Sequence, residues 1–228
     1  MISIKDLTVS YPGHERVIDS LNVTFEEGLI HGIVGLNGSG KTTLLNAIFG
    51  LLKIQSGIVL YHDNRLTKKE SAYLTSENYF YSNITGAEYI GLFKNPSFET
   101  QKWFELLSLP PDEIIDNYSA GMKKKLALLG VLKQDKHLMI LDEPFNSLDI
   151  ETCRIVRSVL LRLKEKGKTV IITSHIIETL TNLCDCIHFL ENGKIKYSRE
   201  KNEFADFEKE IFESLEMKNL GTIQDLIP

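Results

Sequence analysis

Apolar residues recur along the chain in two rhythms. In ISIKDLTVSY (2–11), Ile2 and Ile4 and then Leu7 and Val9 alternate with polar neighbours, the period of half-buried strands. LIHGIVG (29–35) is a short apolar run ending in glycine, followed by a Gly/Ser/Asn loop and by KTTLLNAIFG, a helix stopped at Gly50. SGIVLYHDNRL (56–66) predicts a further strand with a turn at Asp63-Asn64. HLMIL (137–141) and TVIIT (169–173) are apolar nearly throughout, as parallel strands buried on both faces are. The helical spacing of residues 151–166 lies between them.

From 78 to 136 the character changes. Aromatics cluster first, then helical spacing appears in EYIGLF and QKWFELLSL, broken by Pro96 and Pro110-Pro111. This stretch is expected to be a mostly helical insertion. Near the C-terminal end, Phe204, Phe207, Ile211 and Leu215 fall three to four apart within residues 200–217, which predicts an amphipathic helix packed on its own core or, alternatively, on a dimer mate or partner. The 228 residues thus divide into a core of about 1–77 and 137–199, a helical part of about 78–136 and an acidic tail of about 200–228.

Composition narrows the classes. Hydrophobic residues are 43% and charged residues 25%, as in ordinary globular proteins. The net charge of −5 argues against broad nucleic-acid binding. Residues 200–216 alone hold seven acids and two lysines, so the rest of the chain balances to zero. Three cysteines, Cys153, Cys184 and Cys186, have no framework spacing and fit a reducing compartment. Cys184-Asp185-Cys186 offers no second pair of metal ligands nearby in sequence, so structural thiols are expected. MISIKD carries charge too early for a signal peptide, and no apolar run reaches the roughly 18 residues of a membrane span. A cytoplasmic protein is expected.

GLNGSGKT (35–42) matches the phosphate-loop pattern G-x-x-x-x-G-K-[ST] at every position, between an apolar strand and a helix. Gly35, Gly38 and Gly40 let the backbone wrap closely, so successive N–H groups can face a β-phosphate. Lys41 supplies a point charge to the β- and γ-phosphates, and the Thr42 hydroxyl is placed to ligate Mg²⁺. HLMILDEP (137–144) brings Asp142 out at the carboxyl end of a buried strand, where open parallel sheets bind ligands. Asp142 then holds the Mg²⁺ shell, and Glu143 polarises water for attack on the γ-phosphate.

YSAGMKKKL (118–126) poses a puzzle. A serine caps a helix whose first turns carry three cations, although helix N-termini favour negative charge. Taken with GLNGSGKTT, LMILDEP, NSLD and TSH in the same order, YSAGM makes the chain resemble the nucleotide-binding subunits of ABC transporters along nearly its whole length. The resemblance implies an α/β P-loop NTPase fold, a RecA-like core with an antiparallel β-subdomain and an inserted helical subdomain carrying the signature. It implies that Ser119 and Gly121 bind the γ-phosphate of ATP held by the opposite subunit of a head-to-tail dimer, supplying the expected anion. It assigns Tyr11 to stacking on adenine, Asn37, Gly38, Ser39, Gly40, Lys41, Thr42 and Thr43 to the phosphates, His175 to the γ-phosphate and Asp149 to the dimer interface. Successive helical residues diverge around the axis, so at least two of Lys123, Lys124 and Lys125 are expected to face solvent or a partner.

Two departures stand out. Ala120 and Met122 replace the glycine and glutamine of the common signature, and Y-S-x-G-M followed by basic residues resembles the subgroup serving export-type permeases. The family's glutamine that touches Mg²⁺ is missing. Ungapped matching puts Ser76 there with Glu77 beside it; Ser76 reaches the metal only through water, and Glu77 only if the loop shifts. The reading is an ATPase (ATP and Mg²⁺) powering separate transmembrane permease subunits from the inner face of the membrane, as a homodimer or with a second ATPase subunit. The alternative is a soluble ABC-type ATPase in cofactor assembly or cell-envelope machinery.

Overall fold

The structure is a computed structural model describing residues 1–13, 15–205 and 207. Alternating apolar residues fold β1 (Ile2–Ser10) and β2 (Arg16–Phe25) into an antiparallel pair. On its other edge β1 pairs with β4 (Ser56–Tyr61), which turns back into β5 (Asn64–Arg65). The turn is centred on His62 and Asp63, at φ 47° and 61°, one residue earlier than the sequence suggests. Positive φ at both central residues is what a tight hairpin turn requires. These strands form a four-stranded sheet in the order β2-β1-β4-β5.

The second sheet has six strands in the order β10-β9-β3-β8-β7-β6. Its members are β3 (Ile30–Val34), β6 (Ser71–Leu74), β7 (Leu138–Leu141), β8 (Thr169–Ser174), β9 (Cys186–Glu191) and β10 (Lys194–Glu200). All neighbours are parallel except β10, which runs antiparallel to β9 at one edge. Every residue of β3, β7 and β8 is buried. Side chains alternate between faces, so Ile33, Ile140 and Ile171 join one core while Met139, Val170 and Ile172 join another. Two buried faces are the reason these strands are continuous apolar runs.

The helices are α1 (Lys41–Phe49), α2 (Gly86–Gly91), α3 (Thr100–Leu106), α4 (Ala120–Lys133), α5 (Ile150–Glu165) and α6 (Ile177–Thr181). On the first face, α1 through Leu44 and Leu45 and the antiparallel sheet through Ile2, Leu7 and Phe25 close over the six-stranded sheet. On the second, α4, α5 and α6 contribute Leu128, Val156, Leu160 and Leu180. A third core gathers Ile90, Phe104, Leu107, Ile115 and Tyr118 around Leu126 and Leu129 of α4. Helix α4 therefore belongs to two cores at once.

Phe204 and Phe207 are 5% and 0% exposed and join the sheet-side core. Ile211 and Leu215, the rest of the expected tail helix, lie outside the described residues. No helix among the described residues is long and apolar enough to cross a membrane.

Candidate active site

Three parallel strands deliver the site from their carboxyl ends. After β3 the chain enters Gly35 and turns at Gly38 and Gly40, whose φ values are 81° and 103°. A methyl at Gly35 would meet the Leu190 carbonyl and the Ser39 hydroxyl, so only glycine lets the loop leave the sheet this closely. Gly40 caps α1 without any side-chain bond, and the first turn carries no acid. The first bond into the helix is Leu44 N–H to Gly40 O at 2.8 Å, so the N–H groups of its first turn lack intrahelical partners and can face an anion. Asn37 and Gly38 are exposed, whereas Ser39 and Gly40 are buried. The Ser39 hydroxyl is buried and has no partner among the described residues, an orphaned donor in the cradle where a phosphate fits.

Lys41 is 7% exposed and bridges the loop, donating to Gly35 O at 2.7 Å and Leu36 O at 3.2 Å. Burial lowers its pKa, opposed by the charges of Glu143 and Asp142. The Thr42 hydroxyl donates to Asp142 Oδ2 at 2.8 Å, and the Thr173 hydroxyl to Asp142 Oδ1 at 2.6 Å. Asp142 is fully buried. A hydroxyl and a carboxylate in direct contact are hard oxygen donors of the kind Mg²⁺ takes beside phosphates, so Thr42 and Asp142 fit that ion.

Glu143 begins a sharp turn and sits at φ 49°, a region costly for a residue with a Cβ. Its N–H is held by Thr173 Oγ1 at 3.0 Å. Its Oε2 is 2.7 Å from His175 Nδ1 and receives Asn146 Nδ2–H at 2.7 Å. The structure thus brings Lys41, Thr42, Asp142, Glu143 and His175 to one end of the sheet, from three different strands. Sequence reasoning did not single out Thr173 and Asn146, although each lies within a quoted motif, TSH and NSLD.

Tyr11 is 37% exposed, and its hydroxyl lies 3.2 Å from Thr43 Oγ1, beside the phosphate helix. Ser119 is exposed and caps α4, accepting Met122 N–H at 3.2 Å. Asp149 caps α5, with both oxygens at 2.8 Å from the N–H and hydroxyl of Thr152. Among the described residues Ser76 accepts from Lys124 through its carbonyl, and no bond of its hydroxyl is found. The Glu77 carboxylate accepts from the Tyr79 hydroxyl at 2.8 Å. Among the described residues, neither side chain hydrogen-bonds to Thr42 or Asp142.

The lysine block divides. All three lysines donate to carbonyls of their own chain, but Lys124 alone is buried, while Lys123 and Lys125 stay half-exposed as expected of two of the three. Lys123 reaches Asp116 O at 3.3 Å and Lys125 reaches Leu107 O at 2.7 Å. Lys124, 4% exposed, donates to Thr75 O at 3.2 Å, Ser76 O at 3.3 Å and Asp142 O at 3.2 Å. Burial lowers its pKa to about 8, with Asp142 and Glu143 opposing. Angular divergence around a helix still holds, but here each direction meets a different set of carbonyl ends.

Residues 18–146 match the family described as ABC transporter. The chain belongs to the ABC transporter family. It is 34% identical over 223 residues to the energy-coupling factor transporter ATP-binding protein EcfA1 of Thermotoga maritima, covering 91% of this chain and 85% of that protein. It is 31% identical over 209 residues to the bacitracin transport ATP-binding protein BcrA of Bacillus licheniformis, covering 86% and 68%. The ATP-binding cassette MJ0796, solved as a dimer in a post-hydrolysis state bound to ADP and Pi, shares the fold with a TM-score of 0.79 at 21% identity, covering 88% and 99%. The chain is an ATP-binding subunit of this family, a P-loop NTPase whose chemistry is ATP hydrolysis coupled to transport.

Proposed function

We propose that two ATP molecules are hydrolysed between two such subunits arranged head to tail, and that the cycle drives separate membrane permease subunits of the export type. The observation that carries the reading is Glu143, oriented by His175 and Asn146 beside the Asp142–Thr42 pair and the Lys41 loop. The loop N–H groups, Lys41 and the Ser39 hydroxyl hold the phosphates, while the exposed ring of Tyr11 receives adenine. Thr42 and Asp142 would hold Mg²⁺, and Ser76 would reach it only through water. When bound, that ion neutralises charge on the phosphate oxygens.

The Glu143 carboxylate takes a proton from water as its oxygen bonds to the γ-phosphorus. The bond from that phosphorus to the bridging oxygen breaks, and ADP leaves with the electron pair. His175, donating from Nδ1, keeps the carboxylate aimed. Ser119 and Gly121 close on the γ-phosphate of the partner's ATP, and Asp149 lies at the same interface. Likeness to the protein named for bacitracin transport, together with YSAGM and its following lysines, supports an exporter.

Glu143→Gln is expected to cut hydrolysis by about 10²–10⁴-fold while ATP binding stays intact; near-normal turnover would remove Glu143 from the mechanism. Ser119→Arg should block ATP-dependent dimerisation without blocking nucleotide binding by the monomer, and a variant that still dimerises refutes the cross-subunit contact. The permease is tested by gentle membrane solubilisation and purification of the tagged chain. A multi-span partner in stoichiometric amount is expected, whereas soluble partners alone would place the ATPase in soluble machinery.

A further inference from the structure

At the opposite end of β3 from the phosphate loop, three ligand-bearing side chains converge from two strands. β3 and β9 pair in parallel with His31 beside Cys186, and His188 lies two residues further along β9, on the same face. His31 Nδ1 and His188 Nε2 are 3.3 Å apart, and with Cys186 Sγ all three ligand atoms lie within 4.8 Å of one another. We propose that His31, Cys186 and His188 form a zinc site, bound through His31 Nδ1, His188 Nε2 and the Cys186 thiolate, with water from the adjoining cleft as fourth ligand.

Two Zn–N bonds of about 2.0–2.1 Å at a tetrahedral angle place their nitrogens roughly 3.3–3.4 Å apart. The two imidazoles already stand at that separation. Their orientations are fixed from outside, as in metal sites generally. His31 Nε2 lies 2.9 Å from Glu26 O, a partner that can only accept, so Nε2 carries the proton and Nδ1 the lone pair. His188 Nδ1 is 2.7 Å from Ser198 Oγ on β10. Phe25 meets both rings edge-on, with centroids 5.3 and 5.1 Å away. Histidine and cysteine together are the donor set of zinc rather than of Mg²⁺.

Burial lowers both histidines, His188 to about 3, so both rings are neutral and able to ligate near neutrality. The Cys186 thiol is raised to about 11 by burial and nearby carboxylates, so zinc must displace its proton. Without metal, His188 donates Nε2–H to His31 Nδ1 while the Ser198 hydroxyl donates to His188 Nδ1. With metal, His188 carries its proton on Nδ1 and the hydroxyl of Ser198 turns to accept it. The imidazole proton is only relocated, so binding releases one proton, from the thiol. A cleft of about 450 Å³ lined by His31, Cys186, Glu26 and Glu200 supplies the water. Asp185, also on its wall, is committed to Ile30 N–H and Lys164.

The test uses the full chain, stripped with a chelator, with Mg²⁺ and ADP in excess, and titrated with Co²⁺. A thiolate-to-cobalt charge-transfer band with intense tetrahedral ligand-field bands is expected, saturating at one cobalt per chain and bleached by Zn²⁺. Cys186→Ser should lose the charge-transfer band, while Cys153→Ser and Cys184→Ala keep it. Ser198→Ala, which leaves all three ligands, should lower zinc affinity about 10–100-fold. Absence of the charge-transfer band in the wild-type protein would overturn the site, as would its persistence in Cys186→Ser. Zinc affinity unchanged in Ser198→Ala overturns the assigned His188 geometry.

Discussion

Lys124 shows what a single side chain can join. Its ammonium collects carbonyls from the end of β6, through Thr75 and Ser76, and from Asp142 just beyond β7. The signature helix is thereby tied to the two strand ends that frame the catalytic carboxylates. Lys124→Met keeps most of the volume but strands three acceptors in a buried place, which should cost about 2–3 kcal/mol. Urea midpoints check this; stability equal to the parent chain would mean that water replaces the ammonium fully. Asp142 follows the same logic, since the Thr42 and Thr173 hydroxyls give each oxygen of this solvent-excluded carboxylate a donor.

At the scale of elements, α4 is decisive because it is buried on two sides and begins against a neighbouring loop. A Cβ on Gly121 would stand 2.7 Å from the Ser147 carbonyl oxygen. Helix propensity favours alanine there by about 1 kcal/mol, but the contact is with backbone that cannot swing away. Gly121→Ala is therefore expected to destabilise by about 1–3 kcal/mol and to weaken ATP-driven association of subunits. A more stable variant in urea would show that the Ser147 turn yields. That turn is already unusual, with Ser147 at φ 67° and Glu143 at φ 49°.

Across the whole molecule, the six-stranded sheet separates two kinds of site. The phosphate loop, Asp142 and His175 lie at the carboxyl ends of the strands, and His31 with Cys186 lies at the other end. The buried histidines make the metal-free protein acid-sensitive. His188 falls from the ordinary 6.5 to about 3, so between these values the unfolded chain binds a proton that the folded chain refuses. Its stabilising contribution is complete above about 6.5 and is lost as pH falls toward 3. Urea midpoints of the chelator-treated chain should drop from pH 7 to pH 5, and His188→Gln should flatten that slope. An equal slope in both proteins would place the acid sensitivity in other groups.

Much of this was fixed by local chemistry. The phosphate loop and its helix follow from glycine spacing, a neighbouring apolar strand and Gly50, which ends α1 with a left-handed backbone at φ 77°. Continuous apolar runs announced β3, β7 and β8, because burial on both faces removes alternation. Strands β2, β6, β9 and β10 were not legible, since their polar positions are satisfied by neighbours distant in sequence. His188, for example, relies on His31 from 157 positions away. Which of the three adjacent lysines is buried was not legible, because the partners of Lys124 are backbone carbonyls, which every residue carries and no motif marks. The sequence by itself determined the catalytic motifs and the family, whose chemistry depends on local spacing. Only the tertiary structure decided the zinc ligands, the Lys124 tie and the partners of Glu143, because those depend on which strand ends the sheet order makes neighbours.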